Sequence, residues 1–139
     1  MNVFTDDLFL AEAAATAGEV FAWHLRLDLG GCDPRVLDKP AQLAAWALEL
    51  CERIGMTPFG EPIVDCFGNG RLAGLTLVQR IEESAIIAHT AFGRGLIADV
   101  VSCKEFEPAT ATGFTVSFFG ARRVRSEFLT RSVPGEEEG

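Results

Sequence analysis

Ile81-Glu82-Glu83-Ser84-Ala85-Ile86-Ile87-Ala88-His89-Thr90, followed closely by Asp99-Val100-Val101-Ser102-Cys103, is the stretch on which the reading of this chain turns. It holds two short apolar runs, Ser84–Thr90 and Leu96–Cys103, each of strand length and containing β-branched residues. A serine enters the first strand, a histidine lies five residues on, and a cysteine ends the second. On spacing alone the plainer interpretation is a buried strand whose one serine and one histidine are satisfied core polars. The whole chain has two histidines and no tyrosine, so few other groups could move protons.

Upstream, Leu75–Ile81 and Pro62–Phe67 read as two more strands, with Phe67-Gly68-Asn69-Gly70 as a turn. Phe21–Asp28 alternates: Phe21, Trp23, Leu25 and Leu27 face one way, and Ala22, His24, Arg26 and Asp28 the other. Gly30, Gly31 and Asp33 break that strand. Asp38 is then expected to cap a helix with Pro40 in its first turn, carried by Leu43, Trp46, Ala47, Leu50, Cys51 and Ile54 and stopped by Gly55. Downstream, Pro108 opens a helix through about Phe119, and Arg123–Leu129 reads as the last strand. Thr5 is expected to cap an N-terminal helical arm within residues 1–18, and residues 134–139 read as a disordered acidic tail. The order predicts one α+β domain over residues 1–139, a two-layer sandwich with an antiparallel or mixed sheet and helices packed on one face. The other face needs a cover, and a second subunit is the simplest one.

The bulk numbers exclude several functions. Twenty acids against twelve bases, a formal net charge of -8, give no basic face for nucleic acid. No apolar run is long enough to cross a bilayer, and the start shows no signal-peptide pattern. Four cysteines form no CxxC pair, which speaks against a zinc ribbon and for free thiols in a reducing cytoplasm. There is no Gly-x-Ser-x-Gly elbow, no P-loop and no dinucleotide fingerprint. His24, His89 and scattered acids lack metal-ligand spacing.

The order of short motifs resembles the prokaryotic-type S-adenosylmethionine decarboxylases. His24-Leu25, Cys32-Asp33 and Leu37-Asp38 precede the first long helix. A Phe-containing loop runs from Phe67 to Gly74, then come Glu83-Ser84, His89-Thr90, Asp99 and Ser102-Cys103. The resemblance covers about Phe21 to Arg131. It implies a self-processing, pyruvoyl-dependent decarboxylase of polyamine biosynthesis, cut between Glu83 and Ser84 into chains 1–83 and 84–139. Ser84 would become the pyruvoyl group, which forms a Schiff base with the substrate amine and needs neither metal nor pyridoxal phosphate. By position, His89 would assist the proton transfers of processing and Cys103 would return a proton to the product. Phe67 would stack on the substrate's flat group.

The resemblance further implies a homodimer of processed protomers, a small-molecule amine substrate and a cytoplasmic location. The substrate expected is S-adenosylmethionine, with ornithine or arginine as alternatives for which Glu82 and Arg94 are candidate contacts. Departures from the family lie around the pocket. Ala73 stands where a serine that aids processing is usual, Ala85 follows Ser84 in place of histidine, and Ala91-Phe92-Gly93 replaces Trp-Pro-Glu. Ala73 favours the other class of reading, an unprocessed, non-catalytic paralogue that regulates a partner. Intact Glu83-Ser84, His89 and Cys103 favour the enzyme.

Overall fold

Along β1 (Val20–Gly30) the side chains alternate as a half-buried strand requires, Leu25, Leu27 and Leu29 buried on one side and Arg26 exposed on the other. The computed structural model describes residues 19–135; the expected N-terminal arm and the tail beyond Gly135 lie outside the described residues. After β1 come α1 (Pro34–Leu37), α2 (Pro40–Ile54), β2 (Ile63–Phe67), a 3-10 turn (Gly70–Leu72) and β3 (Gly74–Ile81). Then follow β4 (Ser84–Ala91), β5 (Gly95–Ser102), α3 (Pro108–Phe119) and β6 (Arg123–Ser132). The strands form one sheet in the order β2-β3-β4-β5-β1-β6, and every neighbouring pair is antiparallel. The α+β reading holds, and the open choice between antiparallel and mixed resolves to antiparallel.

Helices α2 and α3 lie over one face. Trp46 and Phe119 meet there with ring centroids 5.6 Å apart. The Trp46 indole donates to Thr115 Oγ1 at 3.1 Å, and that hydroxyl donates to the Ala111 carbonyl at 2.7 Å. A buried Trp and a buried Thr are thus both satisfied. Beneath them Leu75, Leu77, Ile86, Ala88, Leu96, Ala98 and Val100 complete the core from the sheet.

The expected cap at Asp38 is corrected. Lys39 occupies the N-cap position of α2 without a side-chain bond. Pro40 opens that helix and has no N–H to satisfy, so a cap there is less needed. Asp38 ends α1 and instead accepts the Gly93 N–H, at 2.9 and 3.1 Å, which fastens the helix layer to the β4–β5 turn. The cap that does exist is Asp33, whose carboxylate accepts the Arg35 N–H and is forked by the Arg35 guanidinium. That pairing holds the Asp33 carboxyl below its usual range.

Among the described residues the second sheet face carries no helix. Ile63, Ile87 and Ile97 on it are exposed, beside charged pairs strung across β1, β5 and β6.

Candidate active site

Ser84 sits where β3 turns back into β4. Ile81 pairs with Ser84, so only Glu82 and Glu83 form the loop. A two-residue hairpin ordinarily accommodates sheet twist with positive φ inside the loop. Here neither glutamate has positive φ. The strained angle falls on Ser84, at φ 154°, and it is the one non-glycine with positive φ among the described residues. A side chain in that region costs on the order of 1–3 kcal/mol and persists only where the surroundings impose it.

The surroundings do impose it. The Glu82 N–H donates to the Thr57 carbonyl at 2.9 Å, and the Thr57 N–H donates to Glu83 Oε1 at 3.1 Å. From the other side, the Cys103 N–H donates to the Glu83 carbonyl oxygen at 2.9 Å. The carbonyl that precedes Ser84 is therefore held by a fixed dipole. Cys103 is itself set by Ser102, whose hydroxyl is buried, donates to the Lys104 carbonyl at 2.7 Å and accepts the Lys104 N–H at 2.9 Å. Glu83, Ser84 and Cys103, expected together from the sequence, do converge at this end of the sheet, with Glu82 exposed in the turn.

His89 does not join them within the protomer. It lies five residues along β4, about 17 Å away at ~3.3 Å per residue. On the open face at that far end its Nδ1 is 3.2 Å from Thr76 Oγ1. Alternation puts Phe67 on the same face and end, since Phe67 pairs with Gly74 and Asp65 with Thr76. Phe67 is 59% exposed. Gly74 is required here: a Cβ on it would lie 1.8 Å from the Thr90 carbonyl oxygen. Arg94, in the β4–β5 turn, belongs to this end too, so Glu82 and Arg94 flank opposite ends of one protomer. A cleft of about 910 Å³ opens at the His89 end, lined among others by Asp28, Gly30, His89, Arg94, Arg123 and Arg125.

Thr76 and Thr57 were not singled out by sequence reasoning. Thr76 carried one faint signal, a hydroxyl on the exposed phase of a strand between Leu75 and Leu77. Thr57 acts mainly through its backbone, which composition does not reveal. Among the described residues no group of histidine, cysteine and acid side chains is arranged to hold a metal ion.

The S-adenosylmethionine decarboxylase family matches the chain over residues 23–132, which include every candidate site residue named in this section. The chain belongs to that family. In three dimensions it is similar to the adenosylmethionine decarboxylase from Aquifex aeolicus VF5, with a TM-score of 0.70 and 19% sequence identity over 88% of this chain and 99% of that one. At that identity the likeness bears on the fold. No curated protein sequence matches the chain.

Proposed function

We propose that the chain cuts itself between Glu83 and Ser84 and, once cut, is a pyruvoyl-dependent decarboxylase. The observation that carries this reading is the positive φ of Ser84 together with the Cys103 N–H on the Glu83 carbonyl oxygen. The Ser84 hydroxyl attacks the Glu83 carbonyl carbon, and the C–N bond breaks as a C–O ester bond forms, releasing backbone strain. As the tetrahedral carbon forms, charge builds on the Glu83 oxygen, where an N–H at 2.9 Å is positioned to stabilise it. Loss of the Ser84 α-proton then expels the Glu83 carboxylate and leaves dehydroalanine, which water converts to a pyruvoyl group and ammonia.

The residues present fit such a group: it would stand at the start of β4, beside Cys103, at an exposed strand end open to substrate. Its ketone supplies the electron sink for loss of carbon dioxide from an amine-bearing acid. Cys103 then donates a proton to the product carbon. By family the first substrate to try is S-adenosylmethionine, for which Phe67 offers a stacking face, with ornithine and arginine beside it. The finer identity of the acid turns on the cleft beside His89.

His89 reaches a scissile bond only in a dimer. With about 17 Å between His89 and Ser84 along one strand, a second copy laid across the open face would bring its His89 to this Ser84. The exposed Ile63, Ile87 and Ile97 on that face favour such a cover. The hydroxyl that Ala73 does not provide is present as Thr76 against His89. This favours the processed enzyme over the unprocessed paralogue. The test is a denaturing gel of native and Ser84→Ala protein. The native chain should separate into two bands and Ser84→Ala should remain whole; an uncut native band after prolonged incubation would reject the reading.

A further inference from the structure

The cleft at the His89 end has a charge at odds with the chain that builds it. The protein carries a formal net charge of -8, yet this cleft is lined by Arg94, Arg123 and Arg125 against one acid, Asp28. Asp28 is already committed, to Arg125 at 3.2 Å. Arg94 is ordered but not neutralised, its Nη2 donating to the Arg71 carbonyl at 2.6 Å. Arg123 packs against Gly30, so closely that a Cβ there would lie 3.2 Å from its guanidinium nitrogens. Among the described residues no carboxylate pairs with Arg94 or Arg123. Two guanidinium groups left without a carboxylate partner at one cleft favour an anion there. Guanidinium also matches carboxylate and phosphate oxygens in a two-pronged geometry that ammonium cannot copy.

We infer that the cleft selects a substrate whose distal end is an anion: an α-amino acid carrying a second carboxylate or a phosphate ester. The inference rests on the decarboxylase reading above and narrows its substrate. In the face-to-face dimer of that reading each His89, and with it this cleft, adjoins the other copy's Ser84, where the α-amine and α-carboxylate of any such substrate are used. What enters the cleft is the rest of the molecule. A distal ammonium, guanidinium or sulfonium would be set among like charges, whereas a carboxylate or phosphate meets Arg94 and Arg123. The acid that would complement a cation is absent from the turn, where residues 91–95 read Ala-Phe-Gly-Arg-Gly.

The experiment separates binding from turnover. Ser84→Ala protein, which cannot be processed, is titrated calorimetrically with glutarate, O-phosphoserine, putrescine and S-adenosylmethionine. One of the two anionic probes should bind, the better one telling carboxylate from phosphate, and putrescine should not. Adding Arg94→Gln or Arg123→Gln should weaken the anion about tenfold, the loss of one charge-assisted contact. Both arginines are exposed, and unchanged melting of each variant checks that the fold is retained. Tighter binding of putrescine or S-adenosylmethionine, or anion binding insensitive to both substitutions, would overturn the inference. Processed native protein then receives glutamate, aspartate, O-phosphoserine, ornithine, arginine and S-adenosylmethionine separately. Carbon dioxide from the cationic substrates alone would overturn the cleft assignment and leave self-cleavage standing. Arginine-dependent anion binding in a protein that never cuts itself would do the reverse.

Discussion

At Ser84 the backbone holds a conformation that glycine adopts freely and serine does not, φ 154°. Strain placed on the residue proposed to attack its own preceding carbonyl would favour the shift, because breaking the peptide releases it. One consequence concerns stability alone. Ser84→Gly should be about 1 kcal/mol more stable than Ser84→Ala, although neither can be cut, since only glycine is at ease at this φ. Thermal melts of the two variants compare them directly, and equal stability would mean that the angle carries no strain. Cys103 offers a second contrast. Its backbone N–H grips the Glu83 carbonyl, and the residue is exposed. Cys103→Ala keeps the N–H and should therefore still cut itself, yet lose most of its turnover. Undiminished carbon dioxide release by that variant would reduce the thiol to a surface residue.

Elements decide how much of this was legible in the sequence. The two apolar runs at 84–90 and 96–103 had the length and residue types of strands, and the helix read from Pro108 through about Phe119 is α3. What the sequence hid was the spatial consequence of β4's length: the family resemblance made Ser84 and His89 partners in processing, and an extended strand carries them to opposite ends. Asp38 was misread because an acid before proline looks like a cap, and its true partner, Gly93, is 55 residues away. The electrostatic influence of the Glu82–Glu83 turn on Cys51 of helix α2 was equally hidden. Burial pushes the Cys51 thiol up to about 11, and the Glu83 carboxylate adds to the rise. Its ordinary value is 9.0, so as pH climbs from about 9 to 11 the unfolded chain gives up this proton while the folded chain keeps it. Folding stability should fall across that window. Melting curves from pH 8 to 11 should show the fall, and Cys51→Val should flatten it; an unchanged slope in the variant would assign the loss to other groups.

For the whole molecule, a sheet face that no described helix covers and the distance between His89 and Ser84 are the grounds for the proposed dimer, two copies face to face with each His89 serving the other's Ser84. Mixing tests it. A Ser84→Ala chain retains His89 and a His89→Ala chain retains Ser84, so each alone should stay uncut or cut poorly. In a mixed dimer one site regains both groups, and the His89→Ala chain should then be cleaved. Light scattering on the same samples should give twice the 15.0 kDa chain mass. A monomer, or no rescue on mixing, would return His89 to the role of a surface residue. The central claim, that the chain makes its own prosthetic group at Ser84, meets its most direct test in the intact mass of the purified protein. The account predicts two fragments, one ending in the carboxylate of Glu83 and one whose first residue, at position 84, is a pyruvoyl group. A single unbroken chain of 15.0 kDa after prolonged incubation would contradict it.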